Sequence, residues 1–167
     1  PPADAAVVEV DGSRVPFVIR TERGTINRAV YTVTSLDPAP DPTGATVDRS
    51  AWNGRLIYRF GGGCGVSFTQ GFQLLDLPSL DLLRAGYVTA TSTFNTFQVL
   101  CNDVISAESA SMVKEHVVET YGEPVHTIGE GGSGGAIQQI LIAQDYPGLL
   151  DAGVALLDGD LHALARR

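Results

Sequence analysis

Val125 to Ala136 reads V-H-T-I-G-E-G-G-S-G-G-A. Val125 to Gly129 reads as a short β-strand. It runs into Gly131-Gly132-Ser133-Gly134-Gly135, and Ala136 to Gln144 follows with the makings of a helix that Pro147 must stop. This is G-x-S-x-G in the context that gives it meaning, strand before and helix after. A serine at such a turn is lifted clear of the backbone at the top of a sheet. The glycines are there because the turn is too tight, and too close to its neighbours, for side chains. The alternative is a flexible Gly/Ser linker, but linker glycines are not usually clamped between two apolar periodic segments.

Working back from the turn, three earlier segments share the same alternation of element types. Gly54 to Phe60 is a strand that ends abruptly in Gly61-Gly62-Gly63-Cys64-Gly65. Phe68 to Ala85 reads as largely helical, broken by Pro78, restarting with Ser79 near its cap and closed by Gly86. Tyr87 to Thr93 is β-branched enough for a strand. A polar loop, Asn95 to Asp103, carries Cys101, Asn102 and Asp103. Ser106 to Tyr121 then places Met112, Val113, His116, Val117 and Tyr121 at helical spacing, ended by Gly122.

The termini of the pattern differ. Residues 5–35 read as an antiparallel edge: Ala6 to Val10 and Val15 to Arg20 joined by the turn signal Asp11-Gly12, then Ala29 to Val33 after Glu22-Arg23-Gly24-Thr25. Residues 36–50, with three prolines, read as a surface loop. Beyond Pro147, Gly153 to Leu157 offers a last strand, and L-H-A-L-A-R-R, residues 161–167, reads as a short helix carrying a surface histidine, His162. The expected fold class is α/β: a doubly wound, mostly parallel sheet with an antiparallel N-terminal edge, its core βα units spanning 52–157. Sites in such sheets form at the carboxyl ends of the strands. Gly61–Gly65, Asn95–Asp103 and Gly131–Gly135 all fall there.

Composition bounds the partners. The 167 residues suffice for one domain with a core, and 44% hydrophobic with 18% charged is the make-up of an ordinary globular protein. Eleven basic against nineteen acidic residues give a net charge of −8, which disfavours nucleic acid and anionic membrane as partners. No apolar run approaches the length of a membrane-spanning helix. A chain opening Pro1-Pro2-Ala3-Asp4, with neither Met nor a signal-peptide pattern, is expected to be a processed or excised segment. The two cysteines, Cys64 and Cys101, are either a disulfide, as in an exported protein, or two thiols in a reducing compartment. Their loop positions favour the disulfide. Neither has a His or a second Cys at metal-ligand spacing, so no metal or other cofactor is expected.

Ser133 is the candidate nucleophile. A hydroxyl needs a base to accept its proton and donors to hold a developing oxyanion. The Gly134 amide is one candidate donor, and the glycine-rich loop after an earlier strand supplies Gly62 and Gly63. A phosphate cradle is the competing reading of that loop, but Gly65-Val66-Ser67 lacks the lysine a P-loop requires. Cys64, Glu130, Asn102 and Asp103 are candidate pocket residues around it. A Cys64–Cys101 bridge would tie the glycine loop to the loop after the following strand. The base is missing. In the usual order, acid and then histidine follow the serine, yet only His162 remains downstream, too close to Ser133 in sequence for the intervening elements. His116 lies on a helix, and His126 begins the nucleophile's own strand, too deep below the turn.

Several further stretches carry a resemblance: Glu22-Arg-Gly-Thr-Ile-Asn-Arg-Ala29, Trp52-Asn-Gly-Arg-Leu56, Phe60-Gly-Gly-Gly-Cys-Gly65, Cys101-Asn-Asp103, Met112-Val-Lys-Glu-His116, Thr127-Ile-Gly129, Gly131-Gly-Ser-Gly-Gly-Ala-Ile-Gln-Gln139 and Tyr146-Pro-Gly-Leu-Leu-Asp151. Together, over roughly residues 5–153, the chain resembles a family of exported, mostly bacterial α/β-hydrolase-like proteins catalogued as domain of unknown function 6351. The resemblance implies an α/β-hydrolase fold, export to the periplasm or medium, and a serine nucleophile at Ser133. It implies no substrate. Two departures stand out: Glu130 replaces an expected aromatic before the Gly-Gly-Ser, and the chain stops at Arg166-Arg167 where family members continue. The resulting expectation is that residues 1–167 form the N-terminal part of one hydrolase domain. On this expectation the chain is a serine esterase whose acid and histidine sit on a companion chain or a missing segment. A non-catalytic hydrolase-like binding module is the alternative from another class.

Overall fold

A computed structural model describes residues 1, 3–67, 69–72, 79–157 and 160–165; for residues 156, 157 and 160–165 only the backbone is described. The chain opens with two tight hairpins. Strands β1 (Val7–Val10) and β2 (Ser13–Pro16) pair antiparallel as a small sheet of their own. Asp11 and Gly12 turn between them with φ of 47° and 79°, the left-handed pair that matches the twist of a two-residue hairpin. Strands β3 (Ile19–Ile26) and β4 (Ala29–Leu36) repeat the device, with Asn27 and Arg28 at φ 51° and 65°.

The rest alternates as read. Strand β5 (Arg55–Arg59) is followed by α1 (Leu80–Arg84), β6 (Val88–Ser92), a 3-10 turn (Thr93–Asn95) and α2 (Asp103–Tyr121). Strand β7 (His126–Gly132), α3 (Gly134–Asp145), β8 (Ala152–Leu157) and β9 (Asp160–Ala165) complete it. Seven strands make one sheet in the order β3-β4-β6-β5-β7-β8-β9. The central four, β6-β5-β7-β8, run parallel, with β3 and β4 antiparallel on one side and β9 antiparallel on the other. Helices α2 and α3 bury Val113, Val117, Tyr121 and Ile142 against Leu56, Tyr58 and Val88 of the sheet. Leu83 of α1 joins Val10, Val15 and Leu36 in a second cluster under the first hairpin. Asn102 caps α2 by accepting from the Ile105 amide at 2.9 Å, and Gly122 ends it at φ 98°, the exchange of side chain for glycine that helix ends favour.

Four expectations need correction. Residues 69–72 are not helical, so the helix expected over Phe68 to Ala85 reduces to Leu80–Arg84; Phe68 and residues 73–78 lie outside the described residues. Ser79 is its N-cap, though without a side-chain bond. Val15 to Arg20 is not one strand but the end of β2 and the start of β3, which continues through Glu22-Arg23-Gly24-Thr25 to Ile26. The proline-rich stretch begins buried: Leu36 ends β4, and Asp37 is 1% exposed with Arg20 3.7 Å away. Finally, 160–165 is a strand and not a helix. Six residues are too few to nucleate a stable helix alone, while the edge of β8 offers them a full ladder of backbone partners.

Candidate active site

Ser133 follows the last residue of β7 and precedes the first of α3. Its φ of 55° and ψ of −122° lie where side chains are disfavoured, a strain that surrounding structure must impose. Its hydroxyl is not used to cap α3, and the residue is exposed. The carbonyl of Ser133 instead accepts from the amides of Ala136 (2.9 Å) and Ile137 (3.1 Å), starting the helix directly beneath the side chain.

What imposes the turn is the glycine loop after β5. A Cβ on either Gly131 or Gly135 would collide with the Phe60 carbonyl oxygen, and one on Gly134 would collide with that of Gly63. The same Gly134 position lies 3.0 Å from the Gly63 nitrogen. A Cβ on Gly62 would stand 3.5 Å from the Ser133 Cβ and 3.7 Å from the Gly134 nitrogen. The structure therefore brings Ser133, Gly134, Gly62 and Gly63 together. Backbone N–H groups so placed can hold an oxyanion next to a nucleophile without a side chain between.

The glycine loop is braced on its far side by residues 95–101. The amides of Gly61 and Gly65 donate to the carbonyls of Asn95 (2.8 Å) and Phe97 (2.7 Å). In return the Gly61, Gly62 and Gly65 carbonyls accept from the amides of Phe97 (3.2 Å), Gln98 (2.8 Å) and Cys101 (2.8 Å). Among the described residues the Gly62 and Gly63 amides donate to no backbone carbonyl. Cys64 and Cys101 form the disulfide, with Cα atoms 4.8 Å apart, and lock the two loops covalently.

A buried polar chain ties this assembly to the helices, and the sequence reading missed it. The Tyr58 hydroxyl donates to Asn95 Oδ1 (2.7 Å), and Asn95 Nδ2 donates to the Ser106 carbonyl (2.7 Å) and Oγ (3.0 Å). Ser106 Oγ donates to Gln138 Oε1 (2.6 Å), and Gln138 Nε2 donates to the Gly61 carbonyl (2.8 Å). All four side chains are 1% exposed or less. Burial pushes the Tyr58 phenol well above its usual value, so it stays protonated and donates. One sequence signal pointed there: Gln138 and Gln139 interrupt the otherwise apolar run A-I-Q-Q-I-L-I-A. Gln139 donates to the Gly131 and Gly135 carbonyls, both at 3.1 Å.

The other candidates sit further out. Glu130 pairs with Arg59 on β5 at 3.0 Å. Asn102 is engaged as the α2 cap, and Asp103 is the first residue of that helix, where its charge suits the helix dipole. His126 opens β7 and is separated from Ser133 by the length of that strand, roughly 20 Å. His116 meets Glu22 at 2.6 Å and the Tyr31 hydroxyl at 3.2 Å, on the antiparallel side of the sheet. The side chain of His162 lies outside the described residues. Among the described contacts, no histidine reaches Ser133.

With this geometry in place, comparison with known families is decisive for one point. A family model described as tannase-like, of unknown function, matches residues 1–157. The chain belongs to that family. Curated proteins gave no match. Solved structures similar to this tannase-like chain include a putative dipeptidyl aminopeptidase IV from Bacteroides ovatus, at 18% identity and TM-score 0.53 over 83% of this chain and 21% of that one. Dipeptidyl peptidase 4 of Porphyromonas gingivalis matches at 16% identity and TM-score 0.52, covering 84% and 20%. Oligopeptidase B of Leishmania major matches at 16% and 0.50, covering 87% and 22%. At such identities the likeness shows the fold, which is that of the α/β-hydrolases. The tannase-like chain spans about a fifth of the length of these structures.

Proposed function

We propose that this chain carries the nucleophile and oxyanion-binding half of a serine hydrolase of the esterase type. The observation that supports it is the contact of Gly62 and Gly63 with Ser133 and Gly134. Ser133 Oγ attacks the ester carbonyl carbon while its proton passes to a base, and the carbonyl oxygen takes the negative charge. The amides of Gly134, Gly62 and Gly63 stabilise that charge, a contribution of about 10²–10³ in rate per donor in comparable sites. Collapse breaks the bond to the alkoxide, which leaves as the alcohol with the proton held by the base. Water then attacks the acyl-serine by the same route and releases the acid.

The base and its supporting acid come, on this reading, from a companion chain or a segment beyond these residues. No described histidine approaches Ser133, and the proteins of like fold are several times longer. A disulfide beside the site, with Cys64 exposed and Cys101 half-buried, fits an oxidising compartment, so on this reading the protein acts in the periplasm or outside the cell.

The test is labelling with a fluorophosphonate probe under native conditions, followed by mapping of the adduct. Modification at Ser133, abolished by Ser133→Ala, is the expected result. No adduct in an intact, folded preparation leaves a non-catalytic binding module as the function. Intact-mass measurement of the active material tests the companion: a single folded, labelled 17.6 kDa species would remove the need for one.

A further inference from the structure

The donors proposed for the oxyanion are backbone amides, and a backbone amide cannot be aimed alone. Each trans peptide is planar, so the carbonyl of one residue and the N–H of the next point in opposite directions. Whatever grips the Gly61 carbonyl therefore aims the Gly62 amide, and whatever grips the Gly62 carbonyl aims that of Gly63. The second grip is a single backbone bond: Gln98 N donates to Gly62 O at 2.8 Å. The first is double. Phe97 N reaches Gly61 O at a long 3.2 Å, and Gln138 Nε2 reaches the same oxygen at 2.8 Å.

Gln138 is one of the largest fully buried side chains, and it stands on α3, the helix that Ser133 itself begins. Its amide cannot be turned over. The Gly61 carbonyl can only accept, so Nε2 must face it, and Oε1 is left to accept the hydrogen of Ser106 Oγ. One end of the polar chain thus starts at Tyr58 in β5, and the other ends on the peptide behind Gly62.

We infer that Gln138 is a positioning residue for acyl transfer: by holding the Gly61 carbonyl from behind, it orients the Gly62 amide toward the oxyanion and couples that donor to the helix carrying the nucleophile. Gln138 touches no reacting atom and acts only through the Gly61–Gly62 peptide. The inference rests on the serine-hydrolase reading of Ser133. It goes beyond that reading by assigning a role to a residue outside the pocket, and it requires that losing the grip weaken transition-state stabilisation more than substrate binding.

The experiment compares wild type, Gln138→Met and Ser106→Ala in the complete protein, with p-nitrophenyl acetate turnover, fluorophosphonate labelling rate and thermal melting measured on each. Methionine keeps the volume but cannot donate to Gly61. The expected result is a 10- to 100-fold fall in kcat for Gln138→Met, within the range that loss of one oxyanion donor allows, with KM changed less than about threefold. The labelling rate at Ser133 falls in step. Ser106→Ala leaves Nε2 in place but frees the other end of the amide, and it lowers kcat by a smaller factor of roughly two to ten. If Gln138→Met does not fold, the kcat of Ser106→Ala decides. A fall in melting temperature with kcat within twofold of wild type, in whichever variant folds, overturns the inference and makes the chain of hydrogen bonds purely structural. Absence of Ser133 labelling in the wild type sinks the hydrolase reading itself, so the two failures are distinct.

Discussion

Gly134 and Gly63 lie so close that no side chain fits between them: a Cβ on Gly134 would run into the Gly63 carbonyl oxygen. The contact is backbone to backbone, between the turn that lifts the serine and the loop that faces it. Gly62 has slightly more room, since its added Cβ would come 3.2 Å from the Gly132 carbonyl oxygen. Gly134→Ala is therefore expected to abolish turnover, by a factor of at least about 10², and to lower the melting temperature. Gly62→Ala needs a shift of only tenths of an ångström, and should cost about tenfold in kcat with little change in melting. Steady-state kinetics on a p-nitrophenyl ester and a thermal melt separate the two. Equal behaviour of the two variants would contradict the close approach at Gly134.

Ser133 is held at φ 55°, ψ −122°, a conformation that only glycine adopts freely. Ser133→Ala keeps the strain while Ser133→Gly releases it. The glycine variant is expected to be more stable than the alanine variant by about 1 kcal/mol, although both are inactive. Urea titration of the pair measures the difference, and a glycine variant no more stable than alanine would mean that the turn is relaxed.

The Cys64–Cys101 bridge closes a separation of 37 residues around β6. Loop-closure entropy for that span is worth about 4 kcal/mol. The double variant Cys64→Ser/Cys101→Ser should lose roughly 2–4 kcal/mol in denaturant unfolding. Because the bridge also fixes the glycine loop against residues 95–101, kcat should fall more than KM rises. Unchanged kcat in a destabilised double variant would show that backbone hydrogen bonds alone position the loop.

Glu22, Tyr31 and His116 pin β3 and β4 to α2, with Glu22 Oε1 2.7 Å from the Tyr31 hydroxyl and 2.6 Å from His116 Nε2. Burial raises the Glu22 carboxyl, but the hydrogen bonds from Tyr31 and His116 outweigh it and leave it below its usual value. Its contribution to stability is thus present above about pH 4.5 and lost as pH falls through the lowered native value. Burial, with the bond to Glu22, pushes the Tyr31 phenol up to about 12. That contribution is complete below about pH 10 and disappears between 10 and about 12. In melting curves against pH, Glu22→Gln should flatten part of the acid decline and Tyr31→Phe part of the alkaline one. Wild-type slopes in both variants would show that the cluster is not linked to folding.

Much of this was readable in one dimension. The parallel core follows from strand and helix periods alternating between Gly54 and Leu157, and the turn at Ser133 follows from glycines at fixed offsets inside that alternation. Local chemistry alone marked Gly122 as the place where α2 ends, whereas its start lies at Asp103 behind the Asn102 cap and not at Ser106. The failures share a cause as well. Glu22 to Thr25 stood outside the expected strands, yet β3 lies at the sheet margin, where half-buried and exposed residues alternate and β4 supplies the hydrogen bonds. L-H-A-L-A looked helical because its residues favour helices, and the open edge of β8 overrode that preference.

For the site, the sequence by itself determined which residue is the nucleophile candidate and which loop could face it. Those depend on steric rules that act over a few bonds: glycine where no Cβ fits, strand before, helix after. Only the tertiary structure decided what grips the Gly61 carbonyl behind that loop. Gln138 is separated from Gly61 by 77 residues and from Ser106 by 32. No local rule links them. Their pairing exists because parallel strands and crossing helices bring buried polar groups into one dry space, where each must find a partner or destabilise the fold.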